Sequence, residues 1–478
     1  MADKKKILFW PDVYKEQGHW LPTLAWADRL NSIKNRDGEK MFEIEYMGIA
    51  DCEELITSFN KKNGTDFKYS NIFYVPEDTK ESIYPPGYTN EFRTTPGNRW
   101  KTDHIWALAY AGFDNHENIV KAGAPEDSVI YKNAIEFRER WDDIKPDLMV
   151  SGYFTALEAL IIYYHHQFDS DVFTSNTKFA LSTTYLRHPS DNPAAHALQN
   201  LMAFTPDEQR KLINMVANDL CDPDDYMVDH GITLEKFVEP LKSFPEYIPC
   251  PQQFDYAHYS HGGLVSYGEP CITKELEGIE DDSSGILWDD ILSKDKIIYV
   301  TAGSQVLDYA ESALSLFMSM INAMQSSDMK DYHLILCVGS TLIQNHWEEY
   351  DNVTVCGWAP QRQILEKIAA KEDKSSCAII HGGLATIKEC IYYEVPFLVL
   401  PLGKDQMDNA LRLEDYGIKN RFHIEYIKPK CLRYFINQIL QDYTSLLNLK
   451  KLSSIFRIME AAHPTALNIA QYALKKTK

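Results

Sequence analysis

The sequence predicts an α/β protein of two similar halves facing each other across a cleft, and three observations carry that expectation. A strand-loop-helix unit opens the chain and recurs, an acidic unpatterned stretch interrupts the pattern past the middle, and a second strand-loop-helix series follows. The first unit is "KILFW" (6–10), followed after Trp20 by apolar residues at 21, 24, 25 and 30, near helical spacing. "PDLMVSGYFTALEALIIYY" (146–164) repeats it, with a strand at Leu148–Val150, a turn at Ser151-Gly152 and a helix from about Thr155. "KFALSTTYL" (178–186) is a further strand. Residues 267–295, with Gly, Pro, Ser and many acids but no period, are expected to be an interdomain linker. "KIIYVTAGSQ" (296–305) then opens the second series, continued by "HLILCVG", "VTVCGW", "CAII" and "FLVL". The boundaries expected are 1–266, 267–295 and 296–454, with 455–478 as one helix returning to the first half. In such parallel, helix-covered sheets, ligands bind beyond the carboxyl ends of the strands.

At 478 residues, the chain is long enough for two or three cores. Its net charge of −21 opposes long-range attraction to nucleic acid or to an anionic membrane. An anionic ligand must therefore be held by local backbone dipoles. Nine scattered cysteines form no C-x-x-C pair, which favours free thiols in a reducing compartment. The apolar run after the basic Met1–Lys6 is too short for a signal-peptide core, and no run approaches the roughly 20 residues that span a bilayer. A cytoplasmic protein without a transmembrane segment is expected.

Chemistry concentrates in Cys377–Ala410. "CAII" is a buried strand and "LATIKECIYY" has the composition of a helix, so His381-Gly382-Gly383 falls on the turn between them. Glycines there let backbone approach a ligand, and the free N–H groups of a first helical turn suit a phosphate. Glu389 is a hydrogen-bond acceptor for a ribose diol, and Asp405 with Gln406 offers groups suited to sugar hydroxyls. Upstream, Trp358 supplies a flat face for a base and Gln361 a donor-acceptor edge.

Trp358-Ala359-Pro360-Gln361, Ile364-Leu365, His381-Gly382-Gly383 with Thr386 and Glu389, Val395-Pro396, Pro401, Asp405-Gln406 and Asn409-Ala410 together resemble the donor signature of family 1 UDP-glycosyltransferases, of GT-B fold with two Rossmann-like domains. "YVTAGSQ" resembles the loop that opens their C-terminal domain, and "IPCPQQFDY" and "YGEP" the end of their N-terminal one. The resemblance implies that Trp358 stacks on uracil, Gln361 contacts the nucleoside and Glu389 binds ribose. It places Gly303, Ser304, His381, Gly383 and Thr386 at the diphosphate, and Asp405 and Gln406 on the transferred sugar. Ala385 stands where plant members usually have Asn.

"QGHWLPTLAWADRL" (17–30) resembles the family's catalytic segment, with Gly18 beside the donor and His19 as general base. A histidine at a helix N-terminus is biased towards its neutral, proton-accepting form. The family usually supplies an orienting Asp shortly after the strand matched here by 148–150, where this chain has Gly152; either another carboxylate serves, with Asp12, Asp103 and Asp147 as candidates, or His19 acts alone. The implied reaction is inverting transfer of a hexose, with glucose foremost, from a UDP-sugar to a hydroxyl of an apolar or aromatic small molecule, without a metal or other cofactor. A UDP-sugar 2-epimerase of the same architecture and an inactive UDP-sugar-binding protein are the alternatives.

Other motifs read as structural. Asp169-Ser170-Asp171 and Asp222-Pro223-Asp224 match a D-x-D pattern but sit in turn-rich stretches, and the second His-Gly-Gly at 261–263 lacks the accompanying Thr and Glu. The aromatic-rich stretch 84–113 is either an acceptor-pocket wall or a loop packed on its own domain.

Overall fold

The computed structural model describes residues 4–13, 17–73, 99–113, 115–167, 173, 176–217, 233–276, 286–304, 306–345, 347, 350–371 and 375–475. Both D-x-D candidates and residues 84–98 of the aromatic stretch lie outside them.

The first half is built on β1 (Lys5–Trp10), β2 (Phe42–Gly48), β3 (Lys68–Asn71), β4 (Leu148–Gly152), β5 (Lys178–Ser182), β6 (Glu246–Ile248) and β7 (Val265–Tyr267), ordered β3-β2-β1-β4-β5-β6-β7. Every pairing is parallel, and β1 aligns Ile7 with Leu148 and Trp10 with Ser151. Ile7, Leu8, Phe9 and Trp10 are all fully buried, as expected of a strand covered on both faces. The second half has β8 (Lys296–Thr301), β9 (Tyr332–Cys337), β10 (Val353–Cys356), β11 (Cys377–Ile380) and β12 (Phe397–Val399), again all parallel, ordered β10-β9-β8-β11-β12.

In each sheet the winding direction reverses once, between β1 and β4 and between β8 and β11. A crevice opens at that switch point, beyond the carboxyl ends of the strands. Four helices lead away from these ends: α1 (Gln17–Asn31) after β1, α2 (Ala156–Gln167) after β4, α3 (Gln361–Ala369) after β10 and α4 (Leu384–Tyr393) after β11. Next come α5 (Gln406–Asp415) after β12, and then α6 (Tyr443–Ala462) and α7 (Pro464–Leu474) near the end of the chain.

Two expectations need revision. The segment after 455 is not one helix: His463 adopts a left-handed φ of 46° and Pro464 opens α7. Proline cannot continue a helix but suits the first position of a new one. α7 then buries Ala466, Ile469, Ala470 and Ala473 in the core of the first half. The stretch 267–295 is also more than a solvated connection. Tyr267 ends β7, and Glu269, Cys271, Ile272 and Thr273 are buried. Glu269 Oε2 accepts the Thr465 N–H at 2.9 Å, and Glu460 Oε2 that of Ile272 at 3.0 Å, tying the chain's last helices to this crossing. Residues 277–285 lie outside the described set. Among the described residues no helix is long and apolar enough to cross a membrane.

Candidate active site

At the second switch point, β8 leads into the turn at Gly303-Ser304 and β11 into His381-Gly382-Gly383, and the two loops meet. His381 is buried between them. A Cβ on Gly303 would stand 2.5 Å from its ring, and one on Gly383 2.4 Å from it, so both positions require glycine. Gly303 also holds a φ of +81° that side chains resist. The Tyr309 ring lies roughly parallel to the imidazole at 6.5 Å. Burial, with the nearby Lys404 charge, pushes His381 down to about 4, which makes it a neutral imidazole at pH 7. Its Nδ1 is buried and meets no hydrogen-bond partner among the described residues. Ser304 is exposed on the turn, available to a ligand.

The α3 and α4 residues lock together. Gln361 Oε1 accepts the Tyr299 hydroxyl at 3.0 Å, while its Nε2 donates to Glu389 Oε2 at 2.5 Å and to Thr386 Oγ1 at 3.4 Å. Arg362 Nε donates to Glu389 Oε1 at 2.7 Å, and its Nη1 to the Thr273 carbonyl at 2.9 Å. Each Glu389 oxygen keeps a lone pair for a further donor, and the paired guanidinium holds the carboxylate's orientation. Trp358, half-buried, precedes α3 on the loop after β10.

α5 closes the same site. Asp405 is its N-cap residue, and Asp405 Oδ2 accepts Asn409 Nδ2 at 2.9 Å. Burial raises the Asp405 carboxyl above its usual range, although Asn409 opposes that. The Gln406 side chain turns inward. Its Oε1 accepts the N–H groups of Leu402 and Gly403 at 2.7 and 3.0 Å, pinning the loop before the helix. Asn409 Nδ2 also reaches the Gly382 carbonyl at 3.1 Å, tying α5 to the His381 loop.

Gly18 and His19 stand in the other half, in the first turn of α1. Gly18 is exposed, and a Cβ there would touch nothing within 4 Å. His19 Nδ1 lies 2.5 Å from Asp12 Oδ2, with Asp12 only 1% exposed. Phe154 stacks on the imidazole at 4.8 Å and 26°. Of the three candidate carboxylates, Asp147 is engaged at the opposite end of β4, by Lys5 Nζ at 2.6 Å and the Lys6 N–H at 2.9 Å. Gly152 explains why no carboxylate follows β4: a Cβ there would lie 1.7 Å from the Pro11 carbonyl oxygen. The chain that carries Asp12 to His19 occupies the space that any side chain at position 152 would need.

The structure thus gathers Gly303, His381 and Gly383 in one packed group, Gln361, Thr386 and Glu389 in another, and Asp405 and Gln406 at the start of α5. Arg362, Tyr309 and Phe154 do not stand out from sequence. Arg362 carries a faint signal, being a cation next to Gln361, but pairing with Glu389 is visible only once α3 lies on α4.

Residues 339–463 match the sequence pattern of the family described as "UDP-glucoronosyl and UDP-glucosyl transferase". An uncharacterized UDP-glucosyltransferase of Bacillus subtilis (strain 168) is 25% identical over 167 residues, 35% of this chain and 39% of that protein. A UDP-glucuronosyltransferase of Xenopus laevis is 36% identical over 89 residues, 19% of this chain and 16% of that protein. The chain therefore spans well under half the length of the curated relatives it matches. Two solved structures align along essentially its whole length. One is the glycosyltransferase of kitacinnamycin, with TM-score 0.61, 15% identity and coverage of 99% of this chain and 100% of that one. The other is a calicheamicin glycosyltransferase, with TM-score 0.60, 13% identity and full coverage of both. Residues 339–463 thus carry the sequence pattern of UDP-glucuronosyl and UDP-glucosyl transferases, and the fold, over the whole length of the chain, is that of GT-B glycosyltransferases.

Proposed function

We propose that the protein is an inverting glycosyltransferase that moves a hexose, glucose foremost, from a UDP-sugar to a hydroxyl group of an apolar or aromatic small molecule. The observation that carries this reading is the His19–Asp12 pair, 2.5 Å apart, in the same chain as a donor signature that departs from the usual pattern at Ala385. Asp12 accepts the Nδ1 proton, which leaves the Nε2 lone pair free as a base. Nε2 takes the proton of the acceptor hydroxyl, and that oxygen forms a bond to the anomeric carbon. The carbon–oxygen bond to UDP breaks on the opposite face, and UDP leaves with the electron pair. Charge growing on the leaving diphosphate meets the N–H groups opening α4 and the Gly303-Ser304 turn.

In this reading Trp358 stacks on uracil, Gln361 contacts the nucleoside and Glu389 takes the ribose hydroxyls. His381, Gly383 and Thr386 face the diphosphate, while Asp405 and Gln406 meet the hexose. Residues 1–266 hold the acceptor and 296–454 the donor. The structural similarity to the glycosyltransferases of kitacinnamycin and calicheamicin supports a small-molecule acceptor. The eight described cysteines are free thiols, which supports a reducing cytoplasmic setting.

The test is UDP release from UDP-glucose with a panel of phenols, flavonoids and polyketides, with mass spectrometry of the products, on wild type and His19→Ala. Products heavier by one hexose, lost in the variant, are expected. Turnover equal in both proteins would remove His19 from the mechanism. Free epimerised donor formed without acceptor would replace transfer by epimerisation.

A further inference from the structure

We propose that Asp255 and Arg412 form a clamp that sets the start of α5 against the His381 loop, making them positioning residues for the transferred sugar. This rests on the donor-site reading above. Arg412 lies on α5, about two turns after Asp405, and its side chain is wholly buried. Its Nε donates to Asp255 Oδ1 at 2.7 Å. Asp255 comes from the excursion between β6 and β7, at the edge of the other sheet. It is held there by the Tyr267 hydroxyl at 2.5 Å and by the Tyr256 N–H at 2.9 Å, with His261 Nε2 at 3.3 Å. The second His-Gly-Gly thus serves the fold, because its histidine braces Asp255.

The same helix is gripped twice more. Arg412 Nη1 pairs with Asp408, whose Oδ1 receives the Tyr256 hydroxyl at 3.2 Å, and the guanidinium lies 4.8 Å over the Tyr256 ring. One turn nearer the helix start, Asn409 bridges Asp405 to the Gly382 carbonyl. A shift of α5 breaks one of these attachments or drags Asp405 and Gln406 with it. The residues assigned to uridine sit on α3 and α4 and their preceding loops, outside the clamp. Loss of the clamp therefore acts on recognition of the sugar and leaves recognition of the nucleotide in place.

The experiment compares calorimetric titration of UDP and of UDP-glucose into the full chain for wild type, Arg412→Lys, Asp255→Asn and Tyr256→Phe. The last removes a single hydroxyl and leaves the buried ion pair intact, so it tests the clamp even if the charge variants fold poorly. UDP affinity is expected to stay within about twofold of wild type, while UDP-glucose affinity falls by about tenfold in the charge variants and less in Tyr256→Phe. Hydrogen exchange without ligand should quicken at residues 402–410 and stay unchanged in α4. Equal losses for both ligands, exchange that quickens across α4 as well, or variants indistinguishable from wild type in both measurements would overturn the clamp. A wild type that binds neither ligand would overturn the donor-site reading, and the exchange pattern would then decide the clamp alone.

Discussion

The Asp12 carboxylate holds one side of the His19 ring while Phe154 covers a face, so the imidazole has little freedom to turn. Asparagine at position 12 keeps the shape but loses the charge that favours the Nδ1–H tautomer and stabilises the imidazolium. Asp12→Asn is expected to lower kcat by about 10³–10⁴, with the KM for donor unchanged in initial-rate assays. Restoring the family's usual carboxylate by Gly152→Asp will not compensate. Its Cβ would fall 1.7 Å from the Pro11 oxygen, so the β1–β4 contact must open, at a cost of about 3 kcal/mol or more in urea unfolding. A variant as stable as wild type would show that the contact yields. His19 is legible in the sequence because it follows Gly18 at the start of the first helix. Its partner is not: Asp12, Asp103 and Asp147 are equivalent on paper, and only the paired strand ends bring one to the ring.

The strand-loop-helix elements around β8 to α5 are readable because glycines, an apolar strand and helix-forming residues agree on the same turn. α4 shows where such reading ends. Lys388 has the sequence character of a solvated helical residue, yet it is buried, and its Nζ donates to the carbonyls of Pro249 and Pro270 at 2.7 and 2.9 Å. Pro270 belongs to the crossing between the halves and Pro249 to the turn after β6 in the first half, contacts that no periodicity within α4 reveals. Lys388→Met is expected to destabilise the protein by about 2–4 kcal/mol, because two buried carbonyls lose their donor. Thermal or urea melts report it, and a change below about 0.5 kcal/mol would mean that the crossing rearranges to find other donors. The break between α6 and α7 is likewise signalled by Pro464, which outweighs the helical composition on either side of it.

Across the whole molecule, two buried histidines make stability depend on acidity. Burial pushes both His165 and His381 down to about 4, below the roughly 6.5 of an unfolded chain. Because the folded values are depressed, their contribution is complete above pH 6.5 and is lost as pH falls towards 4. Each is worth roughly 3 kcal/mol over that interval, so urea midpoints should drop steeply between pH 7 and 4.5 and less steeply in His165→Gln. An equal slope in that variant would exclude His165. The two-half architecture is legible because each half repeats the same alternation of strand and helix, whereas the grip between them depends on single residues such as Asp255, Glu269 and Lys388. The proposed base and its carboxylate, by contrast, lie seven positions apart on one strand-loop-helix unit. Any displacement of one half against the other would carry that pair as one body, and a graft of residues 5–31 into a related scaffold would carry both groups together.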